Sequence, residues 1–351
     1  LAIISEETLE IKNKYGDERK TEITDTAYDL SDEDLVPKED VVVTMTNRGY
    51  VKRVPVDEYR MQKRGGKGIT ATSIGEDGFV KDMFITNSHD YLLFFSNKGR
   101  VHWLRTFQLP FGSRYSMGKA IVNFIRLEEG EKISTTIPVK SFDHGKYLIF
   151  ATKNGVVKKT ELDAYSRPRK GGIIAITLRD KDRLIEVKVT DGNRNIFLAT
   201  DGGHSIKFNE KDVRRTGRSA SGVKGIRLRK GDEVIGMEIL EDGEHILTVS
   251  ENGYGKRTES EFYKVQRRAG KGIINMKVTD KTGPVKAIRK VQGGEHIMLI
   301  SNKGTAIRVE ADGISLIGRS TQGVRVMRLK EGDKLEDIEL IVENGGEEES
   351  D

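Results

Sequence analysis

Residues 41–49, VVVTMTNRG, decide the fold. An apolar run closes on Thr46, a polar pair follows, and Gly49 ends the stretch. The pattern returns as YLLFFSNKG (91–99), YLIFATKNG (147–155), NIFLATDGG (195–203), HILTVSENG (245–253) and HIMLISNKG (296–304). The closing glycines Gly49, Gly99, Gly155, Gly203, Gly253 and Gly304 stand 50, 56, 48, 50 and 51 residues apart. Each copy reads as a strand, a tight turn needing φ > 0, and a return strand, which together make a β-hairpin. A period of about 50 residues has room for four short strands, the size of one blade in a propeller-like ring. No strong helical stripe intervenes. The repeats predict an all-β, six-bladed ring over 41–343.

The flanks differ in character. Leu1, Ile4, Thr8, Ile11 and Tyr15 recur at helical spacing, so residues 1–23 read as the end of a preceding region with a short helix, closed at Gly16 by a left-handed cap. Residues 24–40 are acidic, contain Pro37 and read as a linker. Residues 344–351 (NGGEEESD) form an acidic tail expected to be flexible.

Charge follows the same division. The chain of 351 residues carries a net +5, but residues 1–40 hold −8 and residues 344–351 hold −4, leaving +17 on 41–343. A basic body between acidic ends implies a polyanionic partner. The absence of cysteine excludes disulfides, thiolate metal sites and cysteine nucleophiles. No apolar run approaches the roughly 18 residues of a membrane span, and residues 1–10 do not read as a signal peptide. The expectation is a disulfide-free cytoplasmic protein.

Two features could carry function. Four residues beyond each turn glycine stand Arg53, Trp103, Lys159, Lys207, Arg257 and Arg308. Repeated around a ring, this position either builds a basic belt or places edge-blunting cations on exposed return strands. The second feature is a basic, glycine-rich loop later in several repeats. It comprises Gln62, Lys63, Arg64, Gly65, Gly66, Lys67 and Gly68 in the first, and Arg167, Arg169 and Lys170 before two glycines in the third. Arg214, Arg215, Arg218 and Lys224 mark the fourth, and Arg267, Arg268 and Lys271 the fifth. Glycine lets backbone N–H groups approach a phosphate, and Arg and Lys add charge-assisted bonds. The P-loop spacing is absent, as are H-E-x-x-H and G-x-S-x-G. The pattern suits sequence-tolerant contact with a DNA backbone.

At QKRGGKG (62–68) the sequence resembles the C-terminal DNA-wrapping domain found in the A subunit of DNA gyrase, a type IIA topoisomerase family whose box reads QRRGGKG; only Lys63 departs. KYGDERKTEI (14–23) is similar to the end of that family's breakage–reunion region. The resemblance implies a six-bladed β-pinwheel that binds and chirally wraps double-stranded DNA on its outer rim, the box closing the wrap. It implies a non-catalytic part of an ATP-dependent enzyme that introduces negative supercoils, with the gyrase B subunit, together with a second copy of the A subunit, as partners in an A2B2 assembly. ATP and Mg²⁺ would act elsewhere in that enzyme, none being expected here, and the setting would be the cytoplasm at the nucleoid, with no membrane. The homologous topoisomerase IV domain is the nearest alternative, opposed by the intact box. A propeller-like protein-interaction platform is the other, opposed by the basic body and by missing W-D and kelch signatures.

Blades one and five align without gaps, Gln62 with Gln266 and Gly68 with Gly272. Ala269 alone replaces a glycine, Gly65, where the backbone is expected to need φ > 0 or close approach.

Overall fold

The computed structural model describes residues 2–17, 33, 35–56, 80–113, 116–167, 169, 171–303 and 305–341. It divides into two units, Leu1–Pro37 and Lys38–Asp351. In the first, the expected helix, α1, runs over Ala2–Tyr15. It ends without the expected left-handed cap, because Gly16 is not among the positive-φ glycines. Its N–H instead donates to the Lys12 carbonyl at 2.8 Å, continuing the helical pattern by one bond.

The second unit consists of antiparallel sheets, as the period predicts. Each hairpin forms where the repeats place it, from Asp40–Thr46 with Tyr50–Pro55 to His296–Ser301 with Ala306–Glu310. The turn glycines Gly49, Gly99, Gly155, Gly203 and Gly253 have φ between 75° and 81°. The recurring Ser or Thr before the turn also has a reason. Thr46, Ser96, Thr152, Thr200 and Ser301 accept a hydrogen bond from the N–H four residues on, tying the two strands across the turn.

The first strand of each hairpin is buried on both faces; Val42 to Thr46 and Leu92 to Ser96 are buried without interruption. A sheet packed between two neighbouring sheets has no solvent face, which explains the unbroken apolar runs. The cores lie between successive sheets. Phe95, Phe150 and Tyr165 meet between the second and third, Leu198 and Ile149 between the third and fourth, and Leu247 and Leu299 between the fifth and sixth.

The repeats exchange strands, as the resemblance to a β-pinwheel implies. In the first sheet the order is Val80–Asn87, Asp40–Thr46, Tyr50–Pro55 and then Lys119–Ala120, the last strand coming from the next repeat. Ile173–Ile174, Val223–Lys224, Ile273–Ile274 and Val324–Arg325 do the same for the second to fifth sheets. The sixth sheet has three strands among the described residues.

The strands at the other edge of each sheet face one another around the interior and carry paired charges. Lys188 lies 2.9 Å from Glu238 and 3.3 Å from Glu186. Lys286 lies 3.1 Å from Glu336.

Candidate nucleic-acid interface

The belt expected four residues beyond each turn glycine is not an exposed row. Lys159, Lys207 and Arg257 are buried, at 7%, 2% and 7% exposure. Lys159 Nζ donates to the Glu210 carbonyl at 2.8 Å and lies 3.5 Å from the Glu210 carboxylate. Lys207 Nζ pairs with Asp242 at 3.1 Å. Arg257 Nε donates to the Ile314 carbonyl at 2.9 Å, and its Nη1 lies 2.6 Å from Asp312. Arg53 is half-buried, donating to the Leu109 carbonyl at 3.1 Å and lying 3.6 Å from Glu39. Arg308 is exposed and engaged by a neighbour. Trp103, the apolar member, donates from Nε1 to the Tyr165 carbonyl at 2.9 Å.

The physical reason is a segment of the following repeat laid over the return strand. Arg53 pairs in parallel with Phe111, Lys159 with Arg215, Lys207 with Val265 and Arg257 with Leu316. Leu109 and Ile314 end single turns of 3-10 helix, and Glu210 begins one. A long cation beneath them satisfies carbonyls that the short turn leaves open. Arg53, Lys159 and Arg257 hold the overlying segment in place.

Exposed cations stand on the loops that lead into the exchanged strands. Arg167 and Arg169 of the third repeat are exposed, and that loop is tied down by Arg100, which donates to the Gly171 carbonyl at 2.6 Å. Arg214 is exposed in the fourth repeat, while the exposed Arg215 is paired with Glu161 and Arg218 is half-buried. Arg267 and Lys271 are exposed in the fifth. Lys170 and the whole box, Gln62, Lys63, Arg64, Gly65, Gly66, Lys67 and Gly68, lie outside the described residues.

The fifth-repeat loop shows how such a loop is built. Arg268 does not point its fork to solvent; Nε donates to the Asp212 carbonyl at 2.8 Å and Nη1 to the Lys224 carbonyl at 3.0 Å. Ala269 has φ = 65°, as the comparison with Gly65 anticipates, and its N–H donates to the Gly225 carbonyl at 2.5 Å. Arg227 N–H donates to the Gly270 carbonyl at 2.8 Å. Gly272 has φ = 69°, and a Cβ there would lie 2.4 Å from the Ser205 carbonyl oxygen. With Arg268 and the backbone fixing the loop, Arg267 and Lys271 remain as exposed cations.

Sequence reading missed Arg319, which is half-buried and donates to the Ile274 carbonyl at 2.9 Å. Its signal was available in GRSTQG (318–323), which repeats GRSASG (217–222).

Among the described residues, no group of three or more His, Asp or Glu side chains is arranged to hold a metal ion. His102 is buried 3.6 Å from Glu131, and that burial lowers its pKa below the ordinary histidine value. No described helix is long and apolar enough to cross a membrane.

A strand-exchanged ring of six repeats with cationic loops at its outer strands defines the β-pinwheel class. The chain belongs to the DNA gyrase C-terminal domain (beta-propeller) family, whose model matches residues 40–87, 90–140, 146–191, 194–241, 244–292 and 295–341. It is 42% identical over 351 residues to the A subunit of DNA gyrase from Salmonella typhimurium, covering 100% of this chain and 40% of that protein. It is 44% identical over 336 residues to the A subunit of DNA gyrase from Staphylococcus epidermidis, covering 95% and 38%. The chain thus spans about two fifths of these relatives. Among solved structures it resembles a DNA gyrase A C-terminal domain, with TM-score 0.71 and 28% identity over 87% of this chain and 100% of the other. It also resembles the C-terminal domain of a DNA topoisomerase IV, with TM-score 0.75 and 28% identity over 87% and 94%.

Proposed function

We propose that the chain binds double-stranded DNA along the outer rim and bends it into a chiral wrap. The observation that carries this reading is the placement of cationic loops at the exchanged strands of successive repeats: Arg167 and Arg169, Arg214, then Arg267 and Lys271. Because the loops recur with the repeat, a duplex following the rim meets a new cluster at each blade. Arg and Lys there neutralise phosphates and displace condensed counterions, a term that carries little base information. Bending is driven by the additional contacts that curvature permits.

Within a gyrase-like enzyme, this wrap presents a crossover of fixed sign for strand passage that introduces negative supercoils. The partners are a gyrase B subunit together with a second copy of the A subunit in an A2B2 assembly. ATP and Mg²⁺ act in other parts of that enzyme, in the cytoplasm at the nucleoid, and this chain supplies no catalytic residue. The box at 62–68 favours this reading over a topoisomerase IV role.

The test is topological. Relaxed plasmid is incubated with the chain, treated with a nicking–closing enzyme, and its linking number measured. A shift of one sign is the expected result, together with binding whose log–log salt slope is about −0.9 per phosphate contacted. An unchanged linking number with salt-insensitive binding overturns it.

A further inference from the structure

The rim loops fall into two alternating classes. Repeats one, three and five carry the basic glycine loops at 62–68, 167–172 and 266–272. Repeats two, four and six carry GSRYSMG (112–118), GRSASG (217–222) and GRSTQG (318–323). Counted back from the closing glycine, an arginine stands at the same place in all three: Arg114, Arg218 and Arg319. The closing glycines Gly118, Gly222 and Gly323 share φ of 84°, 79° and 75°.

Beneath each loop of this second class lies a lysine from the preceding repeat, three residues beyond the turn glycine. Lys52, Lys158 and Lys256 are 1%, 0% and 0% exposed. Lys52 Nζ donates to the Ser113 and Ser116 carbonyls at 3.1 and 2.9 Å. Lys158 Nζ donates to the Arg218 and Ala175 carbonyls, both at 2.5 Å. Lys256 Nζ donates to the Gly318 and Arg319 carbonyls at 2.8 and 2.6 Å. Each lysine grips the carbonyl of the loop arginine or of its immediate neighbours. In the other three hairpins the equivalent residues are His102, Ile206 and Ile307.

A buried ammonium costs several kcal/mol in lost hydration, and an apolar residue of similar volume is often no less stable. Ile206, fully buried at the equivalent place, shows that the sheet accepts one. The lysine therefore recurs because of what lies above it. A loop held at one carbonyl (by Lys158) or two (by Lys52 and Lys256) presents its arginine from a fixed backbone, so little freedom is lost when the guanidinium meets a phosphate. Exposed cations stand close along the chain: Lys119 after the second-repeat loop, Arg214 and Lys224 either side of the fourth, and Arg325 after the sixth.

The geometry points to a second set of DNA-backbone grips in repeats four and six, with Arg218 and Arg319 contacting phosphates and Lys158 and Lys256 as the residues that position them. This rests on the DNA-binding reading above and adds contacts that the box-like loops do not supply. Wrapped DNA would then meet two kinds of contact in alternation.

The experiment measures binding of the full 351-residue chain to a random-sequence duplex across a salt series. In Arg218→Gln/Arg319→Gln, which leaves the lysine bonds intact, affinity at low salt falls roughly tenfold and the salt slope flattens by about 2. Lys140→Gln/Lys230→Gln, at exposed lysines away from the loops, leaves the slope unchanged. Lys158→Met/Lys256→Met reproduces the arginine defect, and combining the two sets adds little, since the lysines act through the arginines. Additive losses would show a merely structural lysine and overturn the positioning role. Should the methionine variants not fold, the arginine variant alone decides the contact. Unchanged affinity and slope in that variant, with wild type still binding in a salt-sensitive way, overturns the grips and leaves the DNA-binding reading standing. Salt-insensitive binding by wild type overturns both.

Discussion

Arg289 and Glu339 meet at 3.2 Å, joining the inner edge of the fifth sheet to that of the sixth. The pair is not a simple exchange of charges, because Asp337 and Asp82 crowd the same carboxylate. Burial first, then those two acids, push the Glu339 pKa up to about 8, although Arg289 pulls the other way. Asp82 and Asp337 are raised as well, chiefly by burial.

A pH dependence of stability follows. Between the ordinary carboxyl value of 4.5 and about 8, the folded chain keeps a proton on Glu339 that the unfolded chain has lost. Stability is therefore lost as pH rises through that window. Glu339→Gln removes this contribution while keeping an acceptor for Arg289. Its melting temperature should depend less on pH, with a gain of about 1–2 kcal/mol over wild type at pH 8. A pH profile parallel to that of wild type would contradict the assignment.

Lys158 and Lys256 titrate in the opposite sense. Burial, and then Arg218 or Arg319, lower their pKa from 10.5 to about 7. Between about 7 and 10.5 the unfolded chain holds a proton that the folded chain has released, so stability rises with pH through that window. A phosphate beside either arginine offsets its repulsion and favours the charged lysine. DNA binding near pH 7 is thus expected to take up protons. Titration calorimetry in two buffers of different ionisation enthalpy reads this directly, and identical heats would refute it.

Ala269 offers a test of loop strain. Its φ of 65° costs a residue with a Cβ roughly 1 kcal/mol. Ala269→Gly should recover about that amount if it exceeds the extra chain entropy of glycine, raising the melting temperature without weakening DNA binding. Ala269→Val should lower it, since branching at Cβ is tolerated least in this region.

The exchanged strands depend on glycine for a different reason. At Gly222, with φ = 79°, a Cβ would lie 2.5 Å from the Val157 carbonyl oxygen. Gly222→Ala should cost at least about 2 kcal/mol, by strain together with displacement of Val223–Lys224 from the third sheet. Chemical denaturation measures the loss, and a change under about 0.5 kcal/mol would show that the loop relaxes freely.

Much of the ring was legible because its signals are local. Gly49 and its counterparts announce the turns, and the unbroken run from Val41 announces a strand covered on both faces. Ala269 betrayed its backbone by standing where Gly65 stands. The burial of Lys159, Lys207 and Arg257 was not legible, because it depends on a segment 56 to 59 residues further on lying across them. Strand exchange was legible only through the resemblance, because strands such as Ile173–Ile174 are too short to show a period. Lys52, Lys158 and Lys256 were visible as residues, but their shared role emerges only when repeats are compared two apart.

That alternation has a consequence for how such a ring changes length in evolution. Excising the fourth repeat alone would bring Lys158 beneath a loop of the other class and remove the Arg218 carbonyl to which it donates. Excising the fourth and fifth together would bring Lys158 beneath the 318–323 loop, which already receives the equivalent lysine, Lys256. In this ring, then, a deletion that keeps each lysine beneath a matching loop removes two repeats, about 100 residues.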